Sequence, residues 1–214
     1  MLSVEQRAIV IGTVLGDGYL SFDRYQHTQL EIKQSDKHHA YVDWMFERLR
    51  SICPPDAMPR WKRDTNQWRF TTRRDDELAE IRAHFYPNGK KIVPRDIARE
   101  LVSPLTLAVW FMDDGSLDYR VKDHYNFALS TNAFSIADNE LLREALERNF
   151  NLHVSIQTPL CRGKRYPEIY IGAKARDRFL ELIEPYVIPC FRYKIPPLTV
   201  TPQRLIRMSI NDLR

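Results

Sequence analysis

The sequence is poor in the residues that build several common kinds of site. Its three cysteines, Cys53, Cys161 and Cys190, are scattered and form no Cys-x-x-Cys pair, which argues against a zinc site and makes a disulfide framework unnecessary. Only seven of the 214 residues are glycine, and neither a Gly-rich phosphate-binding loop nor a low-complexity linker is present. No apolar run reaches membrane-spanning length and no signal peptide is visible. We therefore expect no membrane partner and an intracellular location, in the cytoplasm or nucleoid or within an organelle.

What the sequence does contain is basic charge concentrated in a few short segments. The formal net charge is +4, which by itself is weak support for a nucleic-acid partner. The clusters are Arg60, Lys62 and Arg63; Arg69, Arg73 and Arg74; and Arg162, Lys164 and Arg165. Basic segments beside helices of mixed charge predict one positive surface.

Hydrophobic periodicity predicts the same series of elements twice. The first copy has helices at residues 4–16, 37–52 and 75–85, and strands at 19–22, 28–35, 58–63 and 67–73. The second has helices at 105–113, 135–150 and 173–183, and strands at 125–131, 153–158 and 166–171. The order αββαββα thus appears twice, with one strand of the second copy not visible. We predict an α/β (α+β) fold of two half-domains, residues 1–98 and 99–214, related by a pseudo-twofold axis.

The predicted strands have one apolar and one polar face. The polar face would carry Gln29, Lys33, Gln67, Arg69, Thr71, Gln157, Glu168 and Tyr170. Such side chains read base edges in the major groove, which admits a β-ribbon. A solvated sheet face explains the same alternation, so strand pattern alone leaves both interpretations open.

Two aspartates stand at equivalent points of the repeat. Asp17-Gly18 and Asp114-Gly115 each end a mostly apolar helix, 97 residues apart. A carboxylate at a helix C-terminus is unfavourable by about 0.3–1 kcal/mol, and a divalent cation would offset this cost. Gly12 and Gly16 share one helix face, which allows the two helices to pack closely and bring the aspartates together. A single Asp-Gly pair is usually a turn or a helix stop; its repetition favours a metal-dependent phosphodiesterase site.

Two lysines repeat in the same way. Lys91-Ile92-Val93-Pro94 returns as Lys194-Ile195-Pro196, 103 residues later. A lysine near a metal site stabilises phosphate charge or orients a water molecule. A surface lysine before a loop proline is the ordinary alternative.

The two motifs carry a family resemblance. The segments 10–18 (VIGTVLGDG) and 107–115 (LAVWFMDDG) resemble the paired motifs of monomeric LAGLIDADG homing endonucleases, and the STNAF segment at 130–134 and the segment 193–196 extend the resemblance over nearly the whole chain. In this resemblance Asp17 and Asp114 are the metal-binding catalytic acids, with Gly16 and Asp113 as further metal contacts. Lys91 and Lys194 flank the cleavage centre.

The resemblance also implies an overall shape and a reaction. We expect a DNA-binding saddle with the motif helices at the interface of the halves, acting as a monomer on double-stranded DNA without a protein partner. The expected reaction is Mg²⁺-dependent cleavage of both strands of a long asymmetric site, with Mn²⁺ substituting and Ca²⁺ binding without supporting cleavage. The predicted DNA contacts are the polar-face residues together with Arg60, Lys62, Arg73, Arg162, Lys164 and Arg165. The outcome would be intron or intein mobility.

At two positions the second motif has larger residues than the first, and two other functions are compatible with the same fold. Val109 and Asp113 stand where the first motif has Gly12 and Gly16, so the helix interface must be asymmetric. No protein-splicing ends are visible, and we expect a free-standing or intron-encoded enzyme. An RNA-splicing maturase of the same fold and a catalytically inactive DNA-binding regulator are the alternatives; both acids and both lysines are intact, which disfavours each.

Overall fold

A computed structural model describes residues 1–22, 27–120, 124–161 and 163–197. The predicted DNA contact Arg162 lies outside the described residues. Among the described residues, no helix is long and apolar enough to cross a membrane.

The first copy of the repeat folds as αββαββα. Its elements are α1 (Val4–Leu15), β1 (Tyr19–Phe22), β2 (Thr28–Ser35), α2 (His39–Leu49), β3 (Arg60–Lys62), β4 (Gln67–Thr71) and α3 (Asp76–Phe85). Ser3 caps α1 in a capping box with Gln6, and Asp75 caps α3 through the backbone N–H of Glu77. The helix predicted at 37–52 is divided, because short 3-10 helices at Asp36–His38 and Arg50–Ile52 flank α2.

The four strands of the first copy form one antiparallel sheet in the order β1-β2-β4-β3. Its inner face carries Leu20, Leu30, Ile32 and Phe70, all buried, and packs against α2 and α3. Gln29, Lys33, Gln67, Arg69 and Thr71 alternate with these residues and lie on the outer face, as predicted.

The second copy repeats this order with one insertion. Its elements are α4 (Pro104–Asp114), β5 (Gly115–Arg120), β6 (His124–Ser130), α5 (Ile136–Phe150), β7 (Ser155–Gln157), β8 (Leu160–Cys161), β9 (Lys164–Arg165), β10 (Glu168–Ile171) and α6 (Arg176–Ile183). Strand β5 is the one that the sequence pattern did not reveal, since its GSLDYR segment is polar and mostly exposed.

The second sheet has the order β5-β6-β10-β7, which is the order of the first sheet again. The inserted strands β8 and β9 pair only with each other and extend the hairpin between β7 and β10. Ile169 and Ile171 point to the core, whereas Glu168 and Tyr170 lie on the outer face. The α/β (α+β) architecture of two αββαββα halves is therefore confirmed.

The motif helices α1 and α4 pack against each other in the centre of the molecule. A Cβ atom added to Gly12 would lie 2.6 Å from the Thr106 carbonyl oxygen and 2.8 Å from the Val109 Cβ; one added to Gly16 would lie 2.5 Å from the Asp113 Cβ. The missing side chains of the first motif thus make room for the larger residues at equivalent positions of the second. This confirms the predicted asymmetry of the helix interface.

The segment that follows each copy of the repeat packs against the other copy. Asn149 of α5 donates to the Ala98 and Leu101 carbonyls at 2.7 and 2.8 Å. The ring of Phe191, in the 3-10 helix Pro189–Lys194, contacts Tyr41 of α2 edge to face with centroids 4.9 Å apart. One core therefore runs through both copies. The predicted boundary between residues 98 and 99 falls inside the 3-10 helix Ile97–Arg99 and remains a prediction.

Candidate active site at the ends of the motif helices

The C-terminal ends of α1 and α4 bring three aspartates close together. Asp17 follows the capping residue Gly16 of α1, and Asp113 and Asp114 are the last residues of α4. The backbone N–H of Asp17 donates to Asp113 Oδ2 at 3.3 Å, which connects the two helix ends directly. Close packing at Gly16 is what permits this approach. The predicted meeting of the two motif ends is therefore observed.

Gln34 joins this cluster, and sequence reasoning missed it. Its side chain is only 9% exposed, and Nε2 donates to Asp17 Oδ2 at 3.0 Å and to Asp113 Oδ1 at 3.5 Å. Gln34 lies on the inner face of β2, after the buried residues Leu30 and Ile32. The sequence signal for Gln34 is that a polar residue occupies a strand position whose neighbours on the same face are apolar. Because a buried amide needs hydrogen-bond partners, such a residue indicates polar groups nearby.

The two acids of α4 are held in an environment that opposes ionisation. Burial raises the pKa of Asp114 to about 6, and the charge of Asp17 adds to the shift. Burial also raises the pKa of Asp113 well above its usual range, again with the charge of Asp17 contributing. By contrast, the side chain of Asp17 is exposed. Like charges at adjacent helix ends are thus only partly balanced within the protein.

Lys91 and Lys194 both donate to the ends of the motif helices. Lys91 Nζ lies 2.8 Å from the Gly16 carbonyl oxygen. Lys194 Nζ lies 2.6, 3.3 and 3.5 Å from the carbonyl oxygens of Met112, Asp113 and Phe111. The Phe111 carbonyl also accepts from the backbone N–H of the capping residue Gly115. The last carbonyls of a helix otherwise lack helical donors, and a cation is favourable at this negative end.

The charges of the three aspartates also act on both lysines. Burial lowers the pKa of Lys91 and of Lys194, and the charges of the three aspartates oppose this shift in both cases. Lys194 is 9% exposed. The structure therefore brings together all four predicted catalytic residues, Asp17, Asp114, Lys91 and Lys194, at one place.

Tyr41 and His38 close the side of the cluster formed by α2. The Tyr41 hydroxyl donates to the Val109 carbonyl at 3.4 Å and also contacts the Asp113 carboxylate, and burial raises the pKa of Tyr41. The His38 ring packs on Phe191, with centroids 4.5 Å apart, and its Nε2 lies 3.4 Å from the Tyr193 hydroxyl. Burial lowers the pKa of His38, and the charge of Lys194 lowers it further.

The chemistry of the cluster suits a hard divalent cation. Asp17 and Asp114 offer carboxylate oxygens, and the Gly16 carbonyl and Asp113 offer further oxygen atoms next to them. Burial and the charge of Asp17 raise the pKa of Asp113 and of Asp114, and a cation bound among these carboxylates would relieve their repulsion. Among the described residues, no set of three or more His, Cys, Asp or Glu side chains is arranged as a complete metal site. Mg²⁺ characteristically takes one or two carboxylates, with water and a bound phosphate completing its shell.

The outer face of the first sheet carries a row of positive charge across three strands. Lys33 of β2 is paired with Arg69 of β4, which is paired with Arg60 of β3. Lys62 and Gln67 form the next cross-strand pair. Like charges directly opposite each other are destabilising without a counter-charge. Glu31 pairs with Lys33 and Asp64 pairs with Lys62, and a polyanion lying across this face would balance the remaining positive charge.

The remaining predicted contacts are distributed less evenly. Gln157 and Glu168 are cross-strand partners on the outer face of the second sheet, with Tyr170 next to them on β10. Lys164 and Arg165 are exposed on β9, beyond the edge of that sheet. Arg73 follows the end of β4, and its guanidinium donates to the Ser51 carbonyl at 2.8 Å, so it stands apart from the row of Lys33 and Arg69. A DNA contact of each remains a prediction.

Comparison with known proteins identifies a family to which the chain is similar over most of its length. Residues 7–179 match the LAGLIDADG DNA endonuclease family. A probable intron-encoded endonuclease from Wickerhamomyces canadensis is 32% identical over 202 residues, covering 91% of this chain and 85% of that protein. The cytochrome b mRNA maturase bI2 of Debaryomyces hansenii is 25% identical over 203 residues, covering 91% of this chain and 74% of that protein.

A solved structure has the same fold over almost its whole length. The homing endonuclease I-WcaI, in a structure bound to its DNA recognition sequence, superposes with a TM-score of 0.76 at 31% sequence identity. The superposition covers 92% of this chain and 88% of I-WcaI.

Proposed function

The chain belongs to the LAGLIDADG DNA endonuclease family, and we propose that it cuts both strands of a long asymmetric DNA target and so promotes the mobility of an intron or intein. The observation that carries this proposal is the meeting of Asp17 and Asp114 at adjoining helix ends, in a cluster that also holds Lys91 and Lys194. The endonuclease relative and the DNA-bound I-WcaI support the same activity.

Asp17 and Asp114 are the principal ligands of the required cation, and the Gly16 carbonyl and Asp113 complete the set. Mg²⁺ is the proposed physiological ion; Mn²⁺ substitutes for it, and Ca²⁺ binds without supporting cleavage. When bound, the cation polarises the scissile phosphate and lowers the pKa of water. The Gly16 carbonyl accepts one hydrogen bond from Lys91 Nζ, and its second lone pair would be free for the cation.

The other residues of the cluster hold the acids in place and balance charge. Gln34 fixes the Asp17 carboxylate through its 3.0 Å hydrogen bond, so that the acid is already oriented before DNA binds. Lys194 neutralises the negative end of α4 next to Asp114. Lys91, with one hydrogen bond to a carbonyl, has donors left for a phosphate oxygen.

The two outer sheet faces bind the duplex. Lys33, Arg60 and Arg69 supply positive charge on the first face, and Gln157 and Tyr170 supply polar groups on the second. Because both motif helices are in one chain, a monomer provides both acids without a protein partner. Duplex DNA as substrate agrees with a location in the cytoplasm or nucleoid or within an organelle.

The test is cleavage of a randomised duplex library by the wild type and by the Asp17→Asn, Asp114→Asn double variant, in Mg²⁺ and in EDTA. We expect one long sequence to be cut by the wild type in Mg²⁺ only. Each Asn substitution keeps the size of the side chain, so the double variant should still bind the sequence that the wild type cuts. Loss of binding by the double variant would instead assign the aspartates a structural role.

A second candidate is an RNA-splicing maturase, which the 25% identical cytochrome b mRNA maturase favours. Intact acids and lysines in both motifs favour the endonuclease, because these residues form the proposed cleavage site. If the wild type binds sequences from the DNA library but cuts none, intron RNA is the next substrate to assay. Binding without activity on either nucleic acid would indicate a DNA-binding regulator.

A further inference from the structure

Cross-strand pairing shows which residues of the two sheets are equivalent. Tyr19, two residues after Asp17, pairs with Glu31, whereas Ser116, two residues after Asp114, pairs with Ala128. Glu31 therefore corresponds to Ala128. Two residues further along the same outer face, Lys33 of β2 corresponds to Ser130 of β6.

When the neighbouring strands are included, the two equivalent cross-strand rows differ in charge. The row through Lys33 contains Arg69 and Arg60. The equivalent row through Ser130 contains Glu168 and Gln157. Three cations in the first half are thus replaced by a hydroxyl, a carboxylate and an amide in the second.

The carboxylate of Glu168 has no charge partner in its row. Among residues 1–22, 27–120, 124–161 and 163–197, no Lys, Arg or His lies within ion-pair distance of it. Glu168 is partly buried, and this burial raises the pKa of its side chain. In the first half, by contrast, Glu31 is paired with Lys33. The cross-strand partners of Glu168 are Ser130 and Gln157, and both are uncharged.

Resting on the proposed function, we infer that Glu168 determines specificity in one half of the target, where it accepts a hydrogen bond from the amino group of a cytosine in the major groove. A carboxylate pairs with the cytosine N4 amino group, whereas Arg and Lys pair with the acceptors of guanine. The equivalent base step in the other half of the target faces Arg69, which reads a guanine. The two half-sites therefore differ in base chemistry at symmetry-related positions.

A carboxylate on this face is unfavourable against DNA unless it finds such a donor. The negative phosphates repel it, so every sequence without an amino group at that point is bound less well. Discrimination therefore comes from the penalty on wrong sequences as well as from the hydrogen bond to the right one.

The experiment compares base preferences at every target position for the wild type, Glu168→Gln, Arg69→Gln and Glu144→Gln, by selecting bound duplexes from a randomised library and sequencing them. Glu144 is exposed on α5, so Glu144→Gln makes the same charge change away from the sheet face. Arg69→Gln changes the equivalent residue of the other half. Thermal unfolding of each variant shows that the fold is retained.

We expect Glu168→Gln to lose a cytosine preference at one position by roughly 5- to 150-fold, the range that corresponds to about 1–3 kcal/mol of discrimination, with adenine gaining most because Gln pairs with adenine. Arg69→Gln should lose a guanine preference at the same distance from the centre on the other side. Glu144→Gln should match the wild type.

Two results would overturn the inference while the endonuclease proposal stands. The first is a wild type that selects one target while Glu168→Gln selects it with unchanged preferences, even if its affinity for all duplexes rises. The second is a loss of preference for a base other than cytosine. A wild type that neither selects nor cuts any sequence would overturn the proposed function, and this inference with it.

Discussion

The two ends of the motif helices carry the same Asp-Gly pair in different surroundings. At the end of α1, Asp17 is exposed, is held by Gln34, and lies beside a carbonyl that receives one hydrogen bond from Lys91. At the end of α4, burial raises the pKa of Asp114 to about 6, a second acid precedes it, and Lys194 donates to three carbonyls. The repeat preserves the acids and lysines but not their environments.

This difference shows what a repeat within one chain permits. In a symmetric homodimer every substitution appears at both ends of the axis. Here the equivalent positions of the two motifs hold different residues, Gly16 and Asp113. They face each other across the helix interface, where the small glycine makes room for the larger aspartate. The outer faces diverge in the same way, since Arg69 and Glu168 occupy equivalent positions. Such a chain is suited to an asymmetric target.

The strongest test of the comparison removes each acid separately. We expect Asp17→Asn and Asp114→Asn each to reduce double-strand cleavage at least ~1000-fold, because each would remove several kcal/mol of charge stabilisation by the proposed metal site. Cleavage rates in Mg²⁺ and gel-shift affinity in Ca²⁺ measure the two properties. Full cleavage activity in either variant would show that the two ends do not act as one centre.

The lysines should differ in their contribution to stability. Lys194→Met leaves three carbonyls of α4 without their charged donor, and we expect it to lower the free energy of unfolding by about 1.5–3 kcal/mol. Lys91→Met removes one hydrogen bond, and the loss should be smaller. Methionine keeps the packing of the aliphatic stem in both variants. Equal losses in urea denaturation would contradict the assigned difference.

Substitutions of Gln34 and of its counterpart in the second half distinguish a role in positioning Asp17 from a role in packing. By strand register the counterpart is Thr131, whose hydroxyl is buried and bonds to Asn139 and Pro167 at 2.6 and 3.0 Å, away from the acids. We expect Gln34→Ala to lower cleavage roughly 10- to 100-fold and to raise the Mg²⁺ concentration needed for half-maximal rate. Thr131→Ala should lower stability and leave the Mg²⁺ dependence unchanged. The same Mg²⁺ dependence in both variants would remove Gln34 from the site.

The smallest expected effect is a pH-dependent change in stability. Because the folded-state pKa of Asp114 is about 6, above its ordinary value of 3.8, the folded chain holds a proton that the unfolded chain releases in this interval. Stability therefore falls as pH rises from about 4 to 6. In EDTA at pH 7.5, Asp114→Asn should be more stable than the wild type by about 1–2 kcal/mol, after allowance for solvent screening.

The control for this prediction is Asp56→Asn, which alters an exposed acid and should leave stability unchanged. The gain in Asp114→Asn should shrink as the pH falls towards 4 and vanish below about pH 3, where the wild-type carboxyl is protonated in both states. It should also shrink in Mg²⁺ if the metal binds the folded wild type as proposed. A gain that persists below about pH 3 would have another cause than the charge of Asp114.

Several features followed directly from local pattern. Alternating residues in β2 and β4 identified the inner and outer faces of the first sheet, because side chains of a strand alternate with a period of two. The spacing of Gly12 and Gly16 indicated a close helix contact, because residues four apart share a helix face. The repeated Asp-Gly and Lys segments indicated the four clustered side chains.

Other features had no local signal. Strand β5 is polar and mostly exposed, and it is a strand because it pairs with β6 along its whole length. Asp36 stands directly before the helix predicted at residues 37–52, but its side chain accepts a hydrogen bond from Trp68 Nε1 at 2.9 Å. Gln34 lies 17 residues from Asp17 in the chain, and only the folding of β2 beside α1 brings them together.

The repeat, the two faces of each strand and the acids at the helix ends can be predicted from the amino-acid sequence, because they depend on residues near one another in the chain. Three features depend on the folded chain: Asp17 is exposed while Asp114 is half-buried, Lys194 donates to three carbonyls, and Arg69 and Glu168 are counterparts. Burial, charge coupling and strand register arise from contacts between distant segments, and no local pattern contains them.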